Sequence, residues 1–190
     1  MTDGTFTILG IAGSLRKASY NRAALRAAQQ LAPEGVRIEV FDLEGIPPYN
    51  QDLENDPPAR VREMKAAVRS ADALLFVSPE YNYSIPGVLK NAIDWGSRPP
   101  KDNCWALKAG ALMGVSNGLL GTARMQYHLR QVFVNIGVLP VMKPEVMIGQ
   151  AAQKFDADLN LTDAKTREFV QQLIVALVGW ARLLERGRAP

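Results

Sequence analysis

Apolar runs alternate along the chain with segments in which apolar residues recur at helical spacing. The apolar runs cover residues 6–12, 36–43, 73–78, 110–115 and 141–148. Largely apolar runs of this length are typical of strands that are buried on both faces of a sheet. The helical patterns cover residues 21–31, 58–71, 86–96, 122–136 and 162–186. This alternation predicts an α/β protein in which helices cover both faces of a parallel sheet.

Composition and length indicate one globular domain spanning residues 1–190. The net charge of +3, from 22 Lys and Arg against 19 Asp and Glu, is too small and too scattered to predict a nucleic-acid partner. Cys104 is the only cysteine, which excludes an intrachain disulfide and a Cys-rich metal site and favours the cytoplasm. Residues 1–12 carry no basic segment, and no run approaches the roughly 18 apolar residues of a membrane span. We therefore expect neither export nor membrane insertion.

Three polar segments directly follow the first, third and fourth apolar runs. They are residues 13–21 (GSLRKASYN), 79–86 (PEYNYSIP) and 116–121 (SNGLLG). Because the carboxyl ends of parallel strands meet at one edge of a sheet, we expect the three segments to form a single ligand site.

The first segment has the composition of a phosphate site. Gly13 permits a tight turn, Arg16 supplies a positive charge, and the hydrogen-bonding side chains are those of Ser14, Ser19 and Asn21. The adjacent helix N-terminus favours an anion. The alternative is a polar turn in which Ser19 is an ordinary helix cap. Neither the dinucleotide fingerprint G-x-G-x-x-G nor the nucleotide loop G-x-x-x-x-G-K-[ST] occurs, so we predict a single terminal phosphate.

The second and third segments are suited to a flat ligand. Between two prolines, the second segment can present backbone groups and the rings of Tyr81 and Tyr83 to a heterocycle. Its alternative is a proline-braced connection with core tyrosines. In the third, Ser116, Gly118 and Gly121 allow close approach to the backbone, although glycine-rich turns are common.

Four motifs resemble the NADPH-dependent FMN reductase family, most closely its chromate and quinone reductase branch. They are GSLR at residues 13–16 with Ser19 and Asn21, PEYNYS at 79–84, LKNAIDW at 89–95 and QYHLR at 126–130. The resemblance spans nearly the whole chain. It implies a flavodoxin-like, doubly wound, five-stranded parallel sheet in the order 2-1-3-4-5. Where the family often has a further glycine after the third segment, this chain has Thr122.

The resemblance also assigns roles to residues of the three segments. It implies that the FMN phosphate is held by Ser14, Arg16, Ser19 and Asn21. The isoalloxazine ring is implied to run along Pro79, Glu80, Tyr81, Asn82 and Tyr83, and its other edge to meet Ser116, Gly118 and Gly121. Neither a catalytic side chain nor a metal is expected, because flavin N5 accepts the hydride and the protein orients the reactants.

The predicted reaction is a ping-pong transfer of electrons from NADPH or NADH through FMN to an acceptor. Quinones are the expected acceptors, and the resemblance adds chromate, other oxidised metal ions and azo compounds. A positive patch that includes Arg16, Lys101 or Arg98 is a hypothesis for attracting an anionic acceptor. We expect His128 to have a structural or interface role and Cys104 to be unreactive.

The resemblance further implies a homodimer or homotetramer. The candidate contact residues are Arg124, Tyr127, Arg130 and Glu145, for which a solvated helix face is the alternative. Two other functions stay open from the residues alone. One is a flavodoxin-like FMN electron carrier, which the basic sequence pI of about 9.1 disfavours, and the other is a nucleotide-binding regulator without redox activity. The sequence leaves the physiological acceptor, the choice between NADPH and NADH, and one- or two-electron transfer undetermined.

Overall fold

A parallel sheet forms the centre of the computed structural model, which describes residues 4–187. Its strands are β1 (Phe6–Ala12), β2 (Val36–Phe41), β3 (Ala73–Val77), β4 (Ala109–Val115), β5 (Leu139–Pro140) and β6 (Val146–Ile148). The strand order is β2-β1-β3-β4-β5, with β6 also paired to β4, and every pairing is parallel. The predicted fold class and strand order are therefore confirmed.

Five helices cover the sheet. They are α1 (Tyr20–Gln30), α2 (Ala59–Ser70), α3 (Gly87–Gly96), α4 (Ala123–Ile136) and α5 (Ala164–Arg186). Alternate strand residues face opposite sides: Ile8 packs with α1 and α5, whereas its neighbour Leu9 packs with α2, α3 and α4. Apolar side chains are buried on both sides of the inner strands β1, β3 and β4, which is why those strand sequences are almost wholly apolar. The edge strand β2 (VRIEVF) differs, because its Arg37, Glu39 and Val40 are exposed.

The fifth predicted strand, at residues 141–148, is in fact divided into the short strands β5 and β6. The Val141 N–H donates to the Gly110 carbonyl at 2.8 Å, and the Ser116 N–H donates to the Ile148 carbonyl at 2.9 Å. Between these two points the chain leaves β4. Pro144 lies in the gap and has no N–H to donate to a ladder, so a continuous strand cannot form there.

The last helix, α5, begins at Ala164, two residues after the start of the helical pattern at 162–186. Thr162, which as a threonine is a possible helix cap, does not cap it, because its hydroxyl donates to the Lys154 carbonyl at 3.2 Å. The N-cap is Asp163, whose carboxylate accepts a hydrogen bond from the Thr166 N–H at 2.9 Å. Within residues 4–187, no helix, including α5, is long and apolar enough to cross a membrane.

Candidate functional site

The three polar segments lie side by side at the carboxyl edge of β1, β3 and β4. The Gly13 N–H donates to the Val77 carbonyl at 2.9 Å, which joins the segment after β1 to the end of β3. The Ser78 N–H donates to the Met113 carbonyl at 3.1 Å and so joins the end of β3 to β4. The strand-to-helix connections that carry these segments therefore start at adjacent points, and they are called loop 1 (13–19), loop 2 (78–86) and loop 3 (116–122) below.

Loop 1 carries hydrogen-bonding groups and an exposed cation. The Ser19 hydroxyl caps α1 by accepting from the N–H groups of Asn21 at 3.2 Å and Arg22 at 3.4 Å. The Ser14 hydroxyl accepts from the Arg16 N–H at 3.4 Å. The Arg16 guanidinium is exposed and has no hydrogen bond or ion pair with any residue in 4–187. Ser19 is thus the helix cap that the alternative interpretation required, while Arg16 is left available for an external anion.

Asn21 ties loop 1 to the end of β4. Its side chain is buried, donates to the Val115 carbonyl at 3.0 Å and accepts from the Val115 N–H at 2.8 Å. Gly13 allows an equally close approach to loop 2, since a Cβ there would lie 2.2 Å from the Ser78 Oγ. These contacts fix the position of loop 1 relative to both neighbouring strands.

Loop 2 contains a tight turn that presents aromatic side chains to solvent. Tyr81 and Ser84 exchange backbone hydrogen bonds of 3.1 and 2.9 Å. The two central residues, Asn82 and Tyr83, have φ values of 50° and 66° in the left-handed region. Such a backbone costs of order 1 kcal/mol for a residue with a Cβ and is typical of functional sites. The side chains of Tyr81 and Tyr83 are 51% and 66% exposed, so the turn offers its rings to a ligand or a partner rather than to the core.

Glu80 fastens loop 2 to the N-terminus of α4. Its carboxylate, which is 5% exposed, accepts from the N–H groups of Arg124 at 3.0 Å and Met125 at 3.2 Å. It also forms an ion pair with the Arg124 guanidinium, which lies 3.6 Å from the centroid of the Tyr83 ring. A second tie joins the Ser84 Oγ to the His128 Nδ1 at 3.1 Å. The structure thereby gives Glu80, Arg124 and His128 a common role in holding the turn.

Loop 3 is closed by Ser116, whose hydroxyl donates to the Gly121 carbonyl at 2.6 Å. Gly121 has a φ of +59°, and a Cβ there would lie 2.8 Å from the Met147 carbonyl carbon. Gly118 faces open space, because the nearest atom to a Cβ would be the Ser116 Oγ at 3.8 Å. Leu119 and Leu120 are 80% and 61% exposed. The loop therefore combines a rigid base with an accessible apolar tip.

Two candidates from the sequence lie away from this edge. α3 starts at loop 2 and runs back along the sheet, so Arg98 and Lys101, which follow its last residue, lie near the opposite edge. The Arg98 carbonyl there accepts from the Lys65 ammonium at 2.7 Å. Within one chain, Arg98 and Lys101 therefore do not share a patch with Arg16, and the patch hypothesis stays a prediction for Arg16. Burial raises the pKa of the Cys104 thiol to about 12, which leaves it unreactive at neutral pH, as expected.

Known proteins are similar to this chain in sequence and in fold. Residues 6–153 match the family model for NADPH-dependent FMN reductase. The chain belongs to the NADPH-dependent FMN reductase family. An NAD(P)H-dependent FMN reductase of Pseudomonas aeruginosa is 54% identical over 93% of this chain and 96% of its own length. A 2-hydroxy-1,4-benzoquinone reductase of a Burkholderia species is 40% identical over 90% of this chain and 94% of its own.

A solved structure extends the match to three dimensions. The flavoenzyme NAD(P)H:acceptor oxidoreductase FerB of Paracoccus denitrificans superposes with a TM-score of 0.86 at 37% identity, covering 94% of this chain and 98% of that chain. The predicted family is thereby confirmed, and with it the predicted enzyme class and the FMN and NAD(P)H cofactors of this FMN reductase family member.

Proposed function

We propose that this protein is a single-domain quinone reductase that binds FMN at the carboxyl edge of its sheet and uses NAD(P)H as the electron donor. The observation that carries the proposal is the convergence of loops 1, 2 and 3, held together by the Gly13–Val77 and Ser78–Met113 backbone bonds. Relatives named as quinone reductases, such as that of Pseudomonas putida at 39% identity over 94% of this chain, support the choice of acceptor.

Loop 1 is the proposed phosphate site. The first turn of α1 carries no acidic residue, and the Arg16 guanidinium is exposed, so the helix N-terminus and Arg16 both favour a phosphate dianion there. We assign the phosphate contacts to Ser14, Arg16 and Ser19. Both amide atoms of Asn21 already bond to Val115, and we therefore give this fourth predicted residue the role of positioning the loop.

Loops 2 and 3 are the proposed ring site. The backbone from Pro79 to Tyr83 would run along the isoalloxazine, with Glu80 holding that backbone against α4 rather than contacting the ring through its side chain. Ser116, Gly118 and Gly121 would line the other edge. Their chemistry fits a flat heterocycle, since loop 3 leaves open space at Gly118 where a ring edge can approach.

When bound, FMN supplies the redox chemistry by accepting a hydride from the nicotinamide and passing electrons to the acceptor. The residues of this chain bind and orient the reactants. We propose that NAD(P)H and the quinone occupy the same face in turn, which gives ping-pong kinetics. The exposed rings of Tyr81 and Tyr83 and the apolar tip at Leu119 provide a surface for a planar quinone.

Chromate, other oxidised metal ions and azo compounds are further proposed acceptors. Of the three cations in the patch hypothesis, Arg16 is the one that lies at the loops. Because salt screens its attraction for an anion, we expect salt to slow chromate reduction more than quinone reduction. Replacing Arg98 and Lys101 by Gln should leave chromate reduction unchanged. A loss confined to chromate in that double variant would restore the original patch hypothesis.

The test of the proposed function begins with FMN reconstitution of the purified protein. Bound flavin that bleaches when NADPH or NADH is added without oxygen, and that recovers its colour with a quinone, would support the proposal. Bound flavin that stays oxidised with both donors would identify an electron carrier instead. Parallel lines in double-reciprocal plots at varied quinone concentration are expected for the ping-pong order, and intersecting lines would contradict it.

A matched pair of variants tests the phosphate site. Arg16→Gln removes the proposed phosphate ligand, whereas Lys17→Gln removes an adjacent exposed cation to which no role is assigned. We expect Arg16→Gln to weaken FMN binding by about tenfold, as for loss of one charge-assisted hydrogen bond, and to leave riboflavin binding unchanged. Equal effects of the two variants on FMN would refute the assignment of Arg16.

We also propose that the protein assembles as a homodimer or homotetramer in the cytoplasm. The exposed half of α4 supports this assembly, because Tyr127 and Val134 are 53% and 85% exposed there. The other candidates have partners within the chain: Arg130 donates to the Val141 carbonyl at 3.1 Å, and Lys143 pairs with Glu145 at 2.8 Å and lowers the pKa of the Glu145 carboxyl. Sedimentation should show a smaller species for Val134→Glu than for the wild type, and identical assembly would count against this face.

A further inference from the structure

Arg22 occupies an unfavourable position for a cation. It lies in the first turn of α1, where the helix dipole disfavours positive charge. Its guanidinium forms an ion pair with the carboxylate of Asp42, directly after β2, and both side chains are about one-third exposed or less. The pair is therefore not a typical solvated surface contact, and its position requires a separate explanation.

The same guanidinium reaches back into loop 1. Its Nη1 donates to the Leu15 carbonyl at 3.4 Å, seven residues earlier in the chain. Leu15 lies between Ser14 and Arg16, two of the proposed phosphate ligands. Arg22 thus links the middle of loop 1 to the Asp42 carboxylate, which lies in the connection that follows β2.

Asp42 is itself held firmly. Its Oδ1 accepts from the Glu44 N–H at 3.0 Å, and its carbonyl accepts from the Arg60 guanidinium of α2. Its other carboxylate oxygen, Oδ2, is the one that pairs with Arg22. Asp42 is thus a turn residue whose remaining oxygen is fixed in space, and it provides a rigid anchor for Arg22.

We propose that Arg22 and Asp42 are positioning residues that hold loop 1 in the conformation that binds the flavin phosphate. The inference rests on the proposed function, because it presupposes that loop 1 receives the phosphate. Arg22 acts through the Leu15 carbonyl, which sets the direction of the neighbouring Ser14 and Arg16, and Asp42 acts through Arg22. Neither side chain contacts the flavin in this arrangement.

If Arg22 instead bound the phosphate directly, the expected effect of removing the Asp42 carboxylate would be the opposite. If Arg22 were a ligand, removing Asp42 would free its charge and would strengthen FMN binding or leave it unchanged. If the pair positions the loop, removing either partner weakens FMN binding. Asp42→Asn separates the two cases cleanly, because Asn keeps the Oδ1 acceptor for the Glu44 N–H and so preserves the turn.

The experiment measures dissociation constants of FMN and riboflavin for the full-length apoprotein by flavin fluorescence quenching. The variants are Arg22→Gln, Asp42→Asn and the double variant. Glu39→Gln is the matched control, since it removes one negative charge from β2 and breaks the exposed Arg37–Glu39 pair of 2.9 Å. Thermal unfolding of each apoprotein is recorded in parallel, and Arg22→Lys replaces Arg22→Gln if the latter does not fold.

We expect both single variants to weaken FMN binding by about tenfold, the double variant to be no worse than either single one, and riboflavin binding to change by less than about twofold. The Glu39→Gln control should bind both flavins as the wild type does. An unchanged ratio of FMN to riboflavin affinity in both single variants, or tighter FMN binding by Asp42→Asn, would overturn the inference alone. A wild-type protein that binds neither flavin would overturn the proposed function together with the inference.

Discussion

The contact between Glu80 and the N-terminus of α4 leads to a quantitative prediction. Glu80→Gln keeps the shape of the side chain but removes its charge. The N–H groups of Arg124 and Met125 both donate to the same carboxylate oxygen, Oε2, so a Gln amide oxygen in that place can still accept from both. The amide nitrogen then takes the place of Oε1 and faces the Arg124 guanidinium, which is also a donor. The variant therefore loses the charge at the helix N-terminus and places two donors against each other.

The expected loss is the sum of two interactions. A carboxylate at a helix N-terminus contributes about 1 kcal/mol, and more in a partly buried position. The ion pair with Arg124 adds about 1 kcal/mol at most, because that guanidinium is 40% exposed and solvent screens the attraction. We therefore expect the free energy of unfolding to fall by about 2 kcal/mol, which lowers Tm by roughly 4–8 °C for a chain of this size.

The assay is thermal and denaturant unfolding of the apoprotein, so that flavin affinity does not enter the measurement. Asp94→Asn is the control, since it breaks the exposed Lys90–Asp94 pair of α3 at 2.7 Å and should change stability by less than about 0.5 kcal/mol. If Glu80→Gln unfolds at the same temperature as Asp94→Asn, the proposed role of Glu80 as the cap of α4 is refuted. A loss of FMN binding without a loss of stability would instead indicate direct contact with the flavin.

Three further predictions concern other parts of the fold. Gly121→Ala should destabilise the apoprotein by at least about 2 kcal/mol in denaturant unfolding, through left-handed strain and steric overlap, whereas Gly118→Ala should match the wild type. Cys104 should resist alkylation at pH 8 in the folded protein and react fully in denaturant, and mass spectrometry showing rapid labelling without denaturant would contradict its burial. The Lys65 ammonium holds the pKa of Asp102 below its usual range, so this carboxylate stabilises the fold above the unfolded pKa of about 4 and loses its contribution as pH falls through the folded pKa. Unfolding measured from pH 2 to 7 should therefore show a smaller acid-induced loss for Asp102→Asn than for the wild type, and parallel curves would exclude the linkage.

The strands and the helix faces follow from the sequence because they depend on short-range patterns, whereas the strand order is implied by the family resemblance. Residues 73–77 are apolar throughout, and a strand buried on both faces requires this pattern wherever it occurs in the sheet. The division of the fifth strand does not follow from the apolar content of residues 141–148, although its cause lies within that segment. Val141 and Val146 are both buried and look alike as strand residues, but the ladder between them is interrupted where Pro144 has no N–H.

The candidate site is predictable in its location and not in its internal contacts. The position of polar segments after β1, β3 and β4 is sufficient to bring them to one edge. The cap of α4 shows what is missing: Thr122 precedes the helix and is an ordinary cap residue by type, yet its side chain makes no cap hydrogen bond. The cap comes from Glu80, 44 residues earlier than Arg124. No local pattern predicts a contact across that separation, because the sheet has to form before the two segments meet.

Contacts that hold the loops without a ligand, two of them long-range, change how the flavin energetics should be understood. Asn21 bonds to Val115, Glu80 to the N-terminus of α4, and Ser116 to the Gly121 carbonyl. Each of the three loops is thus held by the fold through groups that need not contact the flavin. Because the conformational entropy of ordering the loops is lost during folding, binding does not have to offset it again. On the proposed assignment, positioning groups stabilise the apoprotein at this edge, and ligand groups, led by Arg16, determine the affinity for the phosphate.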